Sequence, residues 1–306
     1  MISIKEVTSY KNYGKCLSIS NGAMEILVTV DVGPRIIRCS LAGKENLMHE
    51  DIRRNTTKDV SSLFGEGKTW NIYGGHRLWL SPEVFPATYY PDNEKVVYKT
   101  SQSCVTFIPP VQEKTGLAYS IAIEMDETKP TMKITHTITN TKREPITGAA
   151  WALSVMDAGG AVIVPQPKED TGLLANRVLS LWCYTDMQDK RIFWGRDYIA
   201  LRQDPEVKTP IKFGINNTAG KVAYINHGQS LTKEFSYVAG ASYPDGGASC
   251  EVYACEYFTE AESLSPLCKI GKGESIVHEE KWTLHDNVTV GDFSDEELGK
   301  IAKTVF

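Results

Sequence analysis

Apolar side chains recur at every second position along most of the chain. Met24, Ile26, Val28 and Val30 form one such row, and Tyr119, Ile121, Ile123 and Met125 another. Met132, Ile134, His136 and Ile138 follow, and Ile276, His278, Glu280, Trp282 and Leu284 close the series. Leu231, Lys233, Phe235 and Tyr237 repeat the pattern less cleanly. A period of two is the mark of strands with one face buried. Asn21-Gly22, Gly159-Gly160, Asn216-Asn217 and Asp245-Gly246-Gly247 punctuate these rows at short intervals, as turns between strands do. The one helical pattern is at the end of the chain. Ser294 and Glu297 make a capping box, and Leu298, Ile301, Ala302 and Val305 then share a face. The prediction is an all-β sandwich with a short C-terminal helix packed on a sheet, the strands running from about residue 2 to 286. No linker or compositional break interrupts them, so residues 1–306 are expected to form one domain.

Charge narrows the partners. The chain carries a formal net charge of −5 and a pI near 5.8. This argues against a nucleic-acid backbone, which calls for a basic surface. No apolar run approaches the ~18 residues of a membrane helix, and the first residues show no secretory signal, so no membrane partner and a cytoplasmic location are expected. The seven cysteines are scattered without a CxxC pair, which predicts free thiols and no metal cluster.

Three stretches carry candidate chemistry. Residues 71–86, NIYGGHRLWLSPEVFP, gather Asn71, Tyr73, His76, Arg77, Trp79 and Glu83 around Gly74-Gly75. The glycines permit positive φ and close backbone approach. A ring nitrogen, a donor fork and flat aromatic faces suit the hydroxyls and apolar C–H faces of a sugar. The plainer alternative for His76 and Arg77 is a surface loop with a salt bridge. In CEVYACEYFTEAESLSPL (250–267), a regular strand would put Val252, Ala254, Glu256, Phe258, Glu260 and Glu262 on one face, apolar at first and ending in two carboxylates. A sheet opening into a cleft would look like this; so would an edge turning to solvent. Trp151 and Lys212 are further candidates for a pocket floor and a charged contact, against core filling and a solvated lysine.

Four segments together resemble the galactose mutarotase-like superfamily, in its aldose 1-epimerase-like bacterial branch. They are VDVGPRIIRCSLAGKENLMHE (30–50), YGGHRLWLSPE (73–83), ITNTKREPITGAAWALSVM (138–156) and YFTEAESLSPLCKIGKGESIVHEEKWTL (257–284). The resemblance implies a β-supersandwich with a carbohydrate cleft, no cofactor and no metal, and isomerase chemistry at an anomeric centre in carbohydrate metabolism. In that family a glutamate on a late strand is the general base and a histidine protonates the ring oxygen. The base maps to Glu262 or, two residues earlier, Glu260. The family's acid position maps to Trp151; His76, near the family's other pocket histidine, is the expected acid in its place, with the weaker phenol of Tyr73 as the alternative. Arg77, Tyr73, Asn71, Trp79, Glu83, Trp151 and Lys212 are then the expected substrate contacts. Loss of the acid histidine equally fits a sugar-binding module without turnover, and lyase or hydrolase action on the same scaffold is a third possibility.

Overall fold

In the computed structural model, which describes residues 2–306, two large antiparallel sheets face each other across an apolar core. The first, of eleven strands, runs in spatial order β1 (Ser3–Val7), β2 (Cys16–Ser20), β3 (Met24–Thr29), β4 (Ile36–Leu41), β7 (Gly75–Ser81), β12 (Ile146–Met156), β21 (Thr259–Leu264), β20 (Cys250–Ala254), β17 (Ile211–Ile215) and β14 (Leu179–Leu181), with β22 (Cys268–Ile270) paired to the start of β12. The second, of ten, runs β15 (Ile192–Trp194), β16 (Tyr198–Arg202), β13 (Ala161–Pro165), β18 (Lys221–Asn226), β19 (Gln229–Phe235), β23 (Ser275–Asp286), β11 (Thr131–Asn140), β10 (Leu117–Met125), β9 (Cys104–Ile108) and β8 (Val97–Thr100). A hairpin of β5 (Thr57–Asp59) and β6 (Thr69–Asn71) stands apart, joined by the four-residue helix α1 (Ser61–Phe64).

The alternating rows become the inner faces. Met24, Ile26 and Val28 from the first sheet meet Ile121, Ile123, Ile134 and Trp282 from the second in one buried cluster. On β23 the inward residues are buried while Val277, Glu279 and Lys281 look outward. The C-terminal helix α2 (Asp295–Val305) starts where its capping box predicts, with Ser294 Oγ accepting from the Glu297 N–H at 3.1 Å. Its buried face of Leu298, Ile301, Ala302 and Val305 covers Ile163, Ala200 and Ala223 on the outer face of the second sheet. All seven cysteines are free thiols. No helix among the described residues is long and apolar enough to cross a membrane.

The irregular row on β19 has a physical cause. Lys233 is buried between the sheets, 2.9 Å from Glu280, and also donates to Ser154 Oγ at 3.0 Å and the Ala261 carbonyl at 2.9 Å. A buried ammonium is tolerated when a carboxylate and further acceptors surround it. Lys233 and Glu280 anchor a polar centre within the otherwise apolar interior.

Candidate functional site

The central strands of the first sheet are covered on both faces, and the two faces do different work. The outer face of β7, β12, β21, β20 and β17 floors a cleft of about 380 Å³. Pairing register explains which side chains meet there. Arg77 lies opposite Leu153, Leu153 opposite Glu262, and Glu262 opposite Glu251. One step along, Val155 lies opposite Glu260, Glu260 opposite Tyr253, and Tyr253 opposite Lys212. Trp79 lies opposite Trp151. Residues far apart in sequence thus form parallel rows on one surface.

Aromatic rings make the walls. Trp79 packs against Trp151 at 5.6 Å, Trp70 at 5.5 Å and Tyr89 at 5.0 Å between centroids. Tyr253, Phe258, Trp182 and Tyr184 complete the lining. The Arg77 guanidinium lies 4.2 Å from the Trp79 ring centroid and donates through Nη2 to Glu260 Oε1 at 3.2 Å. Burial pushes the Glu260 carboxyl up to about 7; Arg77 pulls the other way and Glu262 adds to the rise. Behind this pair, Lys212 Nζ sits 2.8 Å from Glu251 and 3.1 Å from Glu262. Burial works against the Lys212 charge, yet the carboxylates of Glu251, Glu262 and Glu260 hold its ammonium well above the ordinary range. The indole N–H of Trp151 donates to Glu262 Oε2 at 2.5 Å. Gly214 in β17 makes room for this cluster, since a Cβ there would stand 3.2 Å from Glu251 Cγ and 2.8 Å from Ala248 Cβ.

Of the expected site residues, Arg77, Trp79, Glu83, Trp151, Lys212 and Glu260 line the cleft. Glu262 lies fully buried under its floor, held by Trp151 and Lys212. Three expectations are corrected. His76 does not share the hollow with Glu262, because it is the neighbour of Arg77 on a strand and so faces the opposite side of the sheet. Its Nε2 lies 2.7 Å from His136 Nε2 and its Nδ1 2.8 Å from Ser154 Oγ, between the two sheets. Tyr73 is buried in a separate cluster with Tyr13 and Ile37, its hydroxyl bonded to Asn93 at 2.5 Å. Asn71 also turns to Asn93, while its chain neighbours, Trp70 on β6 and Ile72 just after it, face the cleft. The Gly-Gly pair is no hinge. Gly74 and Gly75 have φ of +97° and +65°, and a Cβ on either would come within 2.3 Å of a backbone carbonyl of His49 or Ile36.

The carboxylate face differs from its sequence reading as well. Residues 250–264 are not one strand. The chain reverses at 255–258, where the Cys255 N–H bonds the Phe258 carbonyl at 3.0 Å. The reversal changes the parity: Glu260 and Glu262 share their face with Glu251 and Tyr253, while Val252, Ala254 and Ala261 point into the core. Glu251 was missed for this reason, since the turn ACEYF contains none of the usual Gly, Pro or Asn signals. Trp70, Trp182, Tyr184 and Tyr89 come from the β6 hairpin and long connections, where no periodicity announces a facing direction.

His76 belongs to a closed network. The His278 carbonyl can only accept, so His136 Nδ1–H donates to it at 3.0 Å. Burial holds both His136 and His76 below the usual imidazole range, hence neutral. His136 Nε2 therefore accepts from His76 Nε2–H, and His76 Nδ1 accepts from the Ser154 hydroxyl. Glu280 accepts from Lys233, from Ser263 at 2.5 Å and from the Trp282 indole at 2.8 Å. His76, His136 and Glu280 bring three potential metal-ligand atoms within 4.8 Å of one another, but each is already committed to a protein partner.

No protein-family profile matches the chain, and no curated protein sequence does. Solved structures are similar in fold at low identity. A TPR-domain containing protein from Parabacteroides distasonis superposes with a TM-score of 0.61 at 12% identity over 94% of this chain, which spans only 51% of that protein. A candidate aldose 1-epimerase from Klebsiella pneumoniae gives 0.59 at 14% identity, covering 100% of this chain and 88% of the other. A galactose mutarotase-like protein from Lactobacillus casei gives 0.53 at 12% identity, covering 88% and 100%. The fold is galactose mutarotase-like, all-β with antiparallel sheets and a short C-terminal helix.

Proposed function

We propose that the protein binds a carbohydrate in the aromatic cleft and interconverts its anomers, with Glu260 as the proton-transfer group. One observation carries this reading: a carboxyl pushed to about 7 stands beside a guanidinium at the bottom of a cleft walled by tryptophan. A group titrating near neutrality can take and return a proton with equal ease. Glu260 removes the proton from the anomeric hydroxyl as the bond from C1 to the ring oxygen breaks. The resulting carboxylic acid gives that proton to the ring oxygen, leaving the open-chain aldehyde. Rotation about C1–C2 and the reverse transfers close the other anomer, with no net change in protons. Arg77 stabilises charge developing on the ring oxygen. Glu262 orients Trp151 and Lys212, and the aromatic rings take the sugar's C–H faces.

A second reading is binding without turnover. It is favoured by the absence of histidine from the lining, among the described residues, which leaves no imidazole to act as a separate acid beside Glu260. Saturation-transfer NMR between anomers of a panel of aldoses, with titration of the same sugars, separates the two. Acceleration over buffer that Glu260→Gln abolishes supports the isomerase. Binding with no acceleration on any sugar would leave the binding module.

A further inference from the structure

The aromatic surface of the cleft exceeds what one sugar ring can cover. Four of the chain's six tryptophans line it. They fall into two platforms. Trp79 packs against both Trp70 and Trp151 beside Arg77 and Glu260. Trp182 lies apart from them, across the ammonium of Lys212, whose Nζ is 4.7 Å from the Trp151 centroid and 4.7 Å from the Trp182 centroid. Tyr184, two residues further along the chain, also lines the cleft and is 41% exposed. A single ring seated on Trp79 beside Glu260 leaves this second platform unused.

The second platform is built rather than incidental. Trp182 and Tyr184 sit on the connection 166–191, whose only regular element is β14. Connections of such length in a compact fold are commonly functional. This one is fastened: β14 pairs with β17, the Lys212 N–H donates to Thr185 Oγ1 at 3.1 Å, and the Thr185 N–H bonds the Trp182 carbonyl at 2.9 Å. Two of the charged groups lining the cleft are already engaged. Lys212 is engaged by Glu251 and Glu262, and Glu83 accepts from the Tyr89 hydroxyl. A site meant to hold one small polyol bonds its hydroxyls on every side. This one offers flat apolar faces on both sides of a cation, in a cleft of about 380 Å³.

From this we infer that the substrate is the reducing end of an oligosaccharide, its terminal ring on Trp79 beside Glu260 and the next ring on Trp182 and Tyr184. The inference rests on the carbohydrate reading above and adds the class of sugar. Isothermal titration of the full chain tests it, pairing monosaccharides with their reducing disaccharides: glucose with cellobiose and maltose, galactose with lactose, N-acetylglucosamine with chitobiose. The expected result is a disaccharide binding about tenfold tighter than its own reducing unit, from burial of one more sugar face. Trp182→Ala, and independently Tyr184→Ala, are expected to cut the ratio of disaccharide to monosaccharide affinity from about tenfold to about twofold or less. A monosaccharide that binds as tightly as its disaccharides overturns the inference while leaving the carbohydrate reading intact; so does a Trp182→Ala protein that weakens both alike with Tyr184→Ala weakening neither. If no sugar in the panel binds, the carbohydrate reading fails and takes the inference with it.

Discussion

The two faces of β7 and β12 hold polar clusters back to back, and they differ in how completely they are satisfied. On the inner face, His76, His136, Ser154, Lys233, Ser263 and Glu280 form a chain in which no buried polar atom lacks a partner. On the outer face, Arg77 Nε and Nη1, Glu262 Oε1, both oxygens of Glu251 and the Trp70 indole nitrogen accept or donate no hydrogen bond, although Glu251 keeps its ionic contact with Lys212. Buried polar atoms without partners are costly, so a stable fold keeps them where something else is gained. The saturated cluster fixes how the sheets face each other. The unsaturated one lies under an open cleft and reaches its lining through Arg77 and Trp70, whose unpaired donors stand beside the space a ligand would fill. Completeness of hydrogen bonding, more than the mere presence of histidines and glutamates, separates the structural centre from the candidate site.

The sharpest way to break this comparison is at single residues on each side. Glu260→Gln is expected to lower the anomerisation rate by ~10²–10⁴-fold with sugar affinity retained, measured by saturation-transfer NMR and titration. Lys233→Met acts on the other face. It leaves the Glu280 carboxylate buried without its cation and is expected to cost ~3–5 kcal/mol, lowering the midpoint of thermal unfolding by roughly 5–8 °C. A folded Lys233→Met protein that binds sugar normally keeps the two clusters separate; a loss of binding at full stability would merge them.

Neighbouring residues 76 and 77 give the next contrast. His76→Gln is expected to lower stability by ~1–3 kcal/mol, through donors and acceptors left unpaired, without changing the rate per folded molecule. Arg77→Met should instead weaken sugar binding and slow turnover while costing less stability. Chemical denaturation beside kinetics on both variants decides; matching profiles would remove the distinction between faces.

Acidity divides the clusters too. Burial depresses His76, His136 and, to about 3, His278 below the ~6.5 of an unfolded histidine. The unfolded chain therefore takes up protons that the folded chain refuses. Their stabilising contribution is full above about pH 6.5 and falls as pH drops toward the folded values, by up to ~1.4 kcal/mol per pH unit for each histidine. Unfolding midpoints between pH 8 and 5 report this. Turnover responds differently: Glu260 must be ionised to act as base, so the rate should rise with pH through about 7 and level off above it. The smallest effect is expected from Trp151→Phe, which keeps a ring on the cleft floor but removes the N–H to Glu262; affinity should fall only ~3–10-fold.

Much of this was legible beforehand. Period-two rows marked the buried strands, the capping box marked the last helix, and residues 73–83 and 257–284 held side chains that do meet at the cleft. The sequence by itself determined which segments are strands and which residue types they carry, because alternation and turn chemistry are local. It did not determine direction. Six of the seven residues of β7 are buried, so alternation cannot say which of His76 and Arg77 faces the core and which the cleft. The same ambiguity, with an unsignalled reversal at 255–258, hid Glu251 and misplaced the carboxylate face. Only tertiary structure decided these points, because a strand between two packed layers has two interiors, and its neighbours in the sheet assign each side chain to one of them.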